Sequence, residues 1–323
     1  MLYRRTFAAL PLLLTIHVRS AEQDYPVKPI RLLIGYAPGS GADVVARLLA
    51  AKLQETLKQG VIVENKAGAG GIVAAQEAAR APADGYTLLL GALPQMGIAP
   101  ATHPKLPYDP VKDFSPVLQV AATDMVLITN PQRVPSGSLQ EFIAWAGKQP
   151  YLFFGTAGPG TLSHFGAYLA AEAIKAKIEP VHFKTTGDQL TAMLKGDIHA
   201  QFVPVATAAP LVKAGKLRAL VTTGPDRSSI LSDTPTSKEA GYPAMQFVSW
   251  YGVFAPANTP SAILDKINGA VLKAWSSADA RGKLEDSGMR GLGASRQAFS
   301  RLIKDDIDRW TKVVKATGFK AQE

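Results

Sequence analysis

The chain has 323 residues, 47% hydrophobic and 19% charged, with a formal net charge of +9 and no cysteine. That length and apolar content suit two buried α/β lobes better than one, and the missing cysteines exclude a disulfide framework, a thiolate metal site and a thiol nucleophile. The basic surplus is dispersed, with no basic run carrying interleaved aromatics, so a nucleic-acid role has no support.

Arg4 and Arg5 precede an apolar run from Phe7 to Ile16, and Val18 and Ser20 fit the minus-three and minus-one positions of a cleavage site, with Ala21 as the alternative last residue. A membrane anchor is the competing reading, but the run falls short of the roughly 20 residues that span a bilayer and contains Pro11. Residues 1–21 are therefore expected to be a cleaved export signal and the mature chain to be periplasmic. Removing Arg4, Arg5 and Arg19 leaves 32 basic against 26 acidic residues, a net charge of +6.

The organising stretch is Ile30 to Leu57. A buried strand (Ile30, Leu32, Leu33, Ile34) runs into a Gly/Pro turn from Gly35 to Gly41, and Val45, Leu48, Leu49, Leu53 and Leu57 then recur at helical spacing. Strand, open polar loop and helix together place unpaired N–H groups at a positive helix end, an arrangement that favours an anion. A strand from Val61 to Glu64, a loop containing AGAGG, a helix from Ile72 to Arg80 and a strand from Tyr86 to Leu90 continue the β-α-β pattern, which implies a parallel sheet. Gly91 to Pro100 then reads as a loop with Pro94 and Gln95 near its tip. Such loops meet in a crevice at the carboxyl ends of neighbouring strands.

From Leu106 the pattern changes. Val117 to Ile128 reads as one long apolar strand leaving the first lobe, and Ser138-Leu-Gln-Glu141 as a capping box opening a helix with Phe142, Ile143 and Trp145. The strand Leu152 to Phe154 enters a second glycine loop, Gly155-Thr-Ala-Gly-Pro-Gly-Thr-Leu-Ser-His164, followed by an alanine-rich helix. Gly155, Gly158 and Gly160 allow close backbone approach, and Thr156, Thr161 and Ser163 supply hydroxyls for a carboxylate or caps for their own helix. Strands at Val181 to Phe183, Ala200 to Val203 and Leu217 to Val221 alternate with helices at Asp188 to Lys195 and Ala208 to Ala214. Phe247 to Phe254 returns to the first lobe, and three helices with Trp275, Phe299, Ile303, Ile307 and Trp310 on their apolar faces end the chain. The expected lobes are 22–125 with 248–323, and 126–247.

Dinucleotide binding is the first rival. Gly39-Ser-Gly41 follows a strand and Glu64 ends the next, but the third glycine of that fingerprint falls on Val44, and Asp43 would set a carboxylate against the pyrophosphate. Asp43 fits better as a helix-terminus residue stabilised by the dipole. The sequence has no Gly-Lys-Ser/Thr, no Gly-x-Ser-x-Gly elbow and no Ser-x-x-Lys. His103, His164, His182 and His199 show no metal-ligand spacing. His164, following Ser163, is a candidate to orient a hydroxyl or ligand, against the commoner structural role. Lys184 is a candidate cleft cation, against a solvated lysine.

The runs YPVKPIRLLIGYAPGSGADVVARLLAAKL, VIVENKAGAGGIVAAQ, ADGYTLLLG, LPYDPVKDFSPV, FFGTAGPGTLSHFGAYLA, AGKLRALVTTG, PTSKEAGYP and WYGVFAPANTP together resemble the Bug/TctC family of extracytoplasmic solute receptors, the binding components of tripartite tricarboxylate transporters. The resemblance covers essentially the whole mature chain. It implies an α/β two-lobe Venus-flytrap fold of the type II-like periplasmic-binding-protein kind, with a mainly parallel sheet in each lobe. It also implies a small carboxylate held between the lobes by Tyr36, Ala37, Pro38, Gly39, Ser40, Gly41 and Asp43 on one side and by Gly155, Thr156, Ala157, Gly158, Gly160, Thr161, Ser163 and His164 on the other, partly through water. No catalysis, cofactor or metal is implied, and delivery to a membrane permease by a monomeric receptor is. The chain departs from the family pattern at Pro38-Gly39-Ser40-Gly41, at Lys184-Thr-Thr-Gly187-Asp188 and at Val203-Pro204. Those positions fall near the expected pocket and bear on which acid is bound: a di- or tricarboxylate, an amino acid or an aromatic carboxylate. The alternative from another class is an exported α/β enzyme, hydrolase-like, using the same cleft, against which stands the lack of a nucleophile motif or an acid/base carboxylate pair.

Overall fold

A computed structural model describes residues 25–135 and 137–319; the expected export signal lies outside them. The chain begins with β1 (Ile30–Ile34), α1 (Gly41–Leu57), β2 (Val61–Asn65), α2 (Ile72–Ala79) and β3 (Thr87–Ala92). A wide helical turn (Pro94–Ile98) and α3 (Ala99–Thr102) lead to β4 (Phe114–Thr129). There follow α4 (Leu139–Ala146), β5 (Leu152–Thr156), α5 (Leu162–Ile174), β6 (Ile178–His182), α6 (Thr186–Lys195), β7 (Ala200–Pro204), α7 (Val205–Lys213) and β8 (Arg218–Thr222). The chain returns through β9 (Val248–Pro256) to α8 (Ser261–Trp275), α9 (Ala278–Asp286), β10 (Arg290–Ala294) and α10 (Arg296–Thr317).

The local chemistry explains these elements. Val45, Leu49 and Leu53 of α1 are fully buried, and Ser40 caps the helix by accepting from the Asp43 N–H. At α4, Ser138 Oγ accepts from Glu141 N at 3.1 Å, but Glu141 Oε2 reaches back to Gly137 N at 2.9 Å, one residue earlier than a reciprocal capping box would take it. The loop expected over Gly91 to Pro100 is helical instead. Pro94 sits in the first turn, where its missing N–H costs nothing, and Leu93, Met96 and Ile98 are buried. Burial of those side chains outweighs the turn-forming bias of the prolines and glycine. Another strand, β10, separates the last two helices.

The strands form two sheets that share β4. One runs β2-β1-β3-β9-β4-β10 and the other β6-β5-β7-β4-β8. β2, β1 and β3 pair in parallel, as do β6, β5 and β7, as repeated β-α-β units must, while every pairing of β4 and β9 is antiparallel. Each sheet is thus mixed, because a strand arriving from the other lobe needs no crossover helix to fix its direction.

Aromatic side chains fill the seam between the lobes. Trp250 of β9 meets Phe299 of α10 edge-on at 5.3 Å, and Trp310 of α10 lies 6.4 Å from Phe165 of α5, so α10 packs on both lobes. Gly252 is what lets α10 lie flat on β9, since a Cβ there would overlap Phe299 Cζ. Phe299 is fully buried and has no space to yield. Gly252→Ala is expected to cost about 1–3 kcal/mol by overpacking, read as a lower urea midpoint at unchanged slope; an unchanged midpoint would contradict this packing.

Candidate functional site

The first glycine loop is built around Asp43. Its carboxylate is 4% exposed and accepts from Arg47 Nε at 2.8 Å, Gly39 N at 3.0 Å and Asn65 Nδ2 at 3.0 Å. The Arg47 bond above all, with the Gly39 and Asn65 bonds, holds its pKa down to about 2. Asn65 also donates to Tyr36 O at 3.0 Å, so both ends of the loop are tied to the end of β2. Asp43 therefore braces the loop, and its oxygens face their own donors. Ala37, Pro38 and Gly39 form the exposed crest, with Gly39 at φ +80° and Ser40 used as the cap. Gly41 packs below it, where a Cβ would stand 3.0 Å from Met289 Cε.

A neighbouring loop, Gly68 to Gly71, was read from sequence only as a connection. It carries positive φ at all four residues, including Ala69 at 45°, a conformation costing a non-glycine residue about 1–3 kcal/mol. Gly71 leaves room for Gln95, whose Cδ would lie 2.9 Å from a Cβ at that position. Gln95 is fully buried. Its amide meets both sets of neighbours when Nε2 donates to Tyr36 Oη (2.8 Å) and Ala92 O (3.3 Å) while Oε1 accepts from Ala92 N (3.2 Å). Tyr36 Oη is then an acceptor from Gln95 with its own proton free for Gly70 O, at 3.4 Å, or a ligand. Burial, with Tyr251 and Tyr108 nearby, raises its pKa and keeps it a neutral donor.

The second loop consumes most of its own polar groups. Thr161 Oγ1 donates to Gly158 O at 2.7 Å and accepts from His164 N; Ser163 Oγ accepts from Ala157 N at 3.0 Å; Thr156 Oγ1 accepts from Gly158 N and contacts His182 Nδ1 at 2.6 Å. Gly160 N donates to His164 Nδ1 at 3.1 Å, which fixes the tautomer with the proton on Nε2. The hydroxyls expected to meet a carboxylate thus hold the loop in shape. The first intrahelical bond of α5 runs from Phe165 N to Thr161 O, so the N–H groups of Leu162 and Ser163 precede it at the positive end of the helix.

One cavity of about 490 Å³ lies between these loops. Of the residues singled out from sequence, Tyr36, Pro94, Gln95, Gly160 and Thr161 line it. Ala69, Gly70 and Ile72 add the neighbouring loop, Ile98, Ala99, Thr102 and His103 the helical segment, and Pro159, Leu162 and Phe319 the far wall. The loop residues Ala37 to Gly41, and Asp43, Gly155, Thr156, Ala157, Gly158, Ser163 and His164, stand outside that lining. Lys184 is exposed beyond β6, and Val203 is buried in the hydrophobic core of the second lobe. The glycines of AGAGG were the signal in the sequence for the missed loop; Phe319 had none, because only the packing of α10 brings it here.

The chain matches the family described as tripartite tricarboxylate transporter family receptor over residues 45–319. It belongs to the TctC family. Protein BugT of Bordetella pertussis is 32% identical over 93% of this chain and 92% of its own length. A solved periplasmic transporter is 35% identical, covering 92% of this chain and 99% of that one with a TM-score of 0.78. MatC from Rhodopseudomonas palustris, solved with bound malate, is 34% identical, covering 90% and 100% with a TM-score of 0.75. The two-lobe fold of this TctC-family chain is that of the periplasmic binding proteins.

In the receptor, His164 is buried and stands edge-on to His182 with ring centres 4.9 Å apart. Burial, and secondarily His182, pushes its pKa down from 6.5 to about 4. The unfolded chain therefore takes up this proton before the folded chain does, so the stability contributed by neutral His164 is complete above pH 6.5 and is lost as the pH falls towards 4. The urea midpoint is expected to drop across that window, and His164→Asn, whose amide oxygen can accept from Gly160 N, should remove part of the drop. Identical pH profiles for parent and variant would refute this.

Proposed function

We propose that the protein is a periplasmic receptor that captures a small organic carboxylate between its lobes and passes it to a tripartite-type permease or a sensor, without catalysis. Loops from the two lobes flank one cavity, and among the described lining residues there is no lysine or arginine; this is the observation that carries the reading. A carboxylate there is held by the Leu162 N–H at the start of α5, the Tyr36 hydroxyl and ordered water, not by a guanidinium fork. The malate bound by MatC supports the ligand class. We also propose lobe boundaries of 22–125 with 248–323, and 126–247, supported by the change of β4 partner between Asp124 and Met125.

Two measurements test this. In titration calorimetry across a panel of organic acids, the best acid should bind at least about tenfold more tightly than its neutral amide, because a hydrogen bond to a charged group contributes about 1.5–3 kcal/mol; equal affinity sinks the reading. Gly158 adopts φ +120° and a Cβ there would stand 3.8 Å from Thr161 Cγ2, an ordinary contact, so Gly158→Val strains the backbone without a clash at Cβ. It should cost about 1–3 kcal/mol of stability while weakening the acid about tenfold by displacing the start of α5. Full retained affinity would show that this loop is not the binding element.

A further inference from the structure

α10 ends at Gly318, whose φ of 66° turns the chain back, and Phe319 N donates to Thr317 Oγ1 at 3.3 Å. The Phe319 ring is thereby set into the mouth of the second loop. It meets Phe165 at 5.5 Å and His164 at 5.8 Å, both edge-on. It also covers Gly160 so closely that a Cβ there would lie 3.0 Å from its Cζ. Gly160, without a side chain, is the floor on which the ring rests. The helix carrying it is pinned at both lobes: Asp306 accepts from Trp250 Nε1 at 2.7 Å, and Trp310 packs on Phe165 and on Phe247.

We propose that Phe319 is a specificity-determining residue, an aromatic wall that selects carboxylates carrying one charge and an apolar body. The inference rests on the receptor reading above and goes further by naming the substrate class. With the carboxylate at the start of α5, the rest of the ligand lies against Phe319, Leu162, Ile72 and Ile98, all of which line the cavity. A ring or hydrocarbon chain gains apolar contact there. A second or third carboxylate would be desolvated with no lysine or arginine among the described lining residues to pair with it; besides Tyr36 and Thr161, the polar side chains there are Gln95, Thr102 and His103.

The test is calorimetry with benzoate, hexanoate, malate and citrate on the mature protein and on Phe319→Ala. The parent should bind benzoate or hexanoate at least about tenfold more tightly than malate or citrate. Phe319→Ala should weaken benzoate about tenfold and malate less than threefold, collapsing the preference. Phe319→Leu, which keeps an apolar contact with Phe165, should retain hexanoate and lose part of the benzoate preference, and it serves if the alanine variant does not fold. Binding with no apolar preference, or a preference unchanged in the variants, overturns this inference and leaves the receptor reading standing. No binding by any carboxylate overturns both.

Discussion

The molecule depends on β4 serving two sheets at once. Every side chain from Val117 to Asn130 is buried, yet the strand pairs with β9 up to Asp124 and with β7 and β8 from Met125 onward. The returning chain is pinned at that change of partner: Thr223 exchanges backbone and hydroxyl bonds with Met125, and Phe247 N donates to Thr223 O. Beside it Asp124 pairs with Arg290 at 2.8 Å. The lobes are therefore joined by continuous hydrogen-bonded strands and not by a free linker.

Within that frame each glycine loop is held in shape by polar groups of its own lobe, and a loop already ordered has little conformational entropy left to lose. In the first loop a carboxylate, Asp43, is spent on bracing; Arg47 neutralises it and Asn65 donates a hydrogen bond to it. In the second, three hydroxyls and an imidazole are spent on shape. What is left over is the neutral Tyr36 hydroxyl at the first loop and the N–H groups that begin α5 at the second.

α10 gives the lobes their second connection. Its aromatic side chains cross the seam, with Phe299 on β9 and Trp310 on α5, and its end delivers Phe319 to the second loop. The same helix that packs across the seam thus leads into Phe319, one wall of the cavity.

The strand, glycine loop and helix units, the two crossing strands and the core faces of α1 and α10 were legible in the sequence, since they depend on periodicity, capping and turn residues that act within about ten positions of one another. Gln95, Gly160 and Thr161 were named on that basis and Tyr36 through the family resemblance, and the structure brings them to one cavity. Local signals misjudged Pro94 to Ile98, whose helical turn is set by burial of Met96 and Ile98. They also carried no information on whether Thr161 and Ser163 would turn to a ligand or to their own loop. Gly71 beneath Gln95, Asn65 behind Asp43 and Phe319 over Gly160 are separated by between 22 and 159 positions. Contacts of that range are decided by sheet order and by helix packing across the seam, where side-chain volume and hydrogen-bond satisfaction in three dimensions override any local propensity.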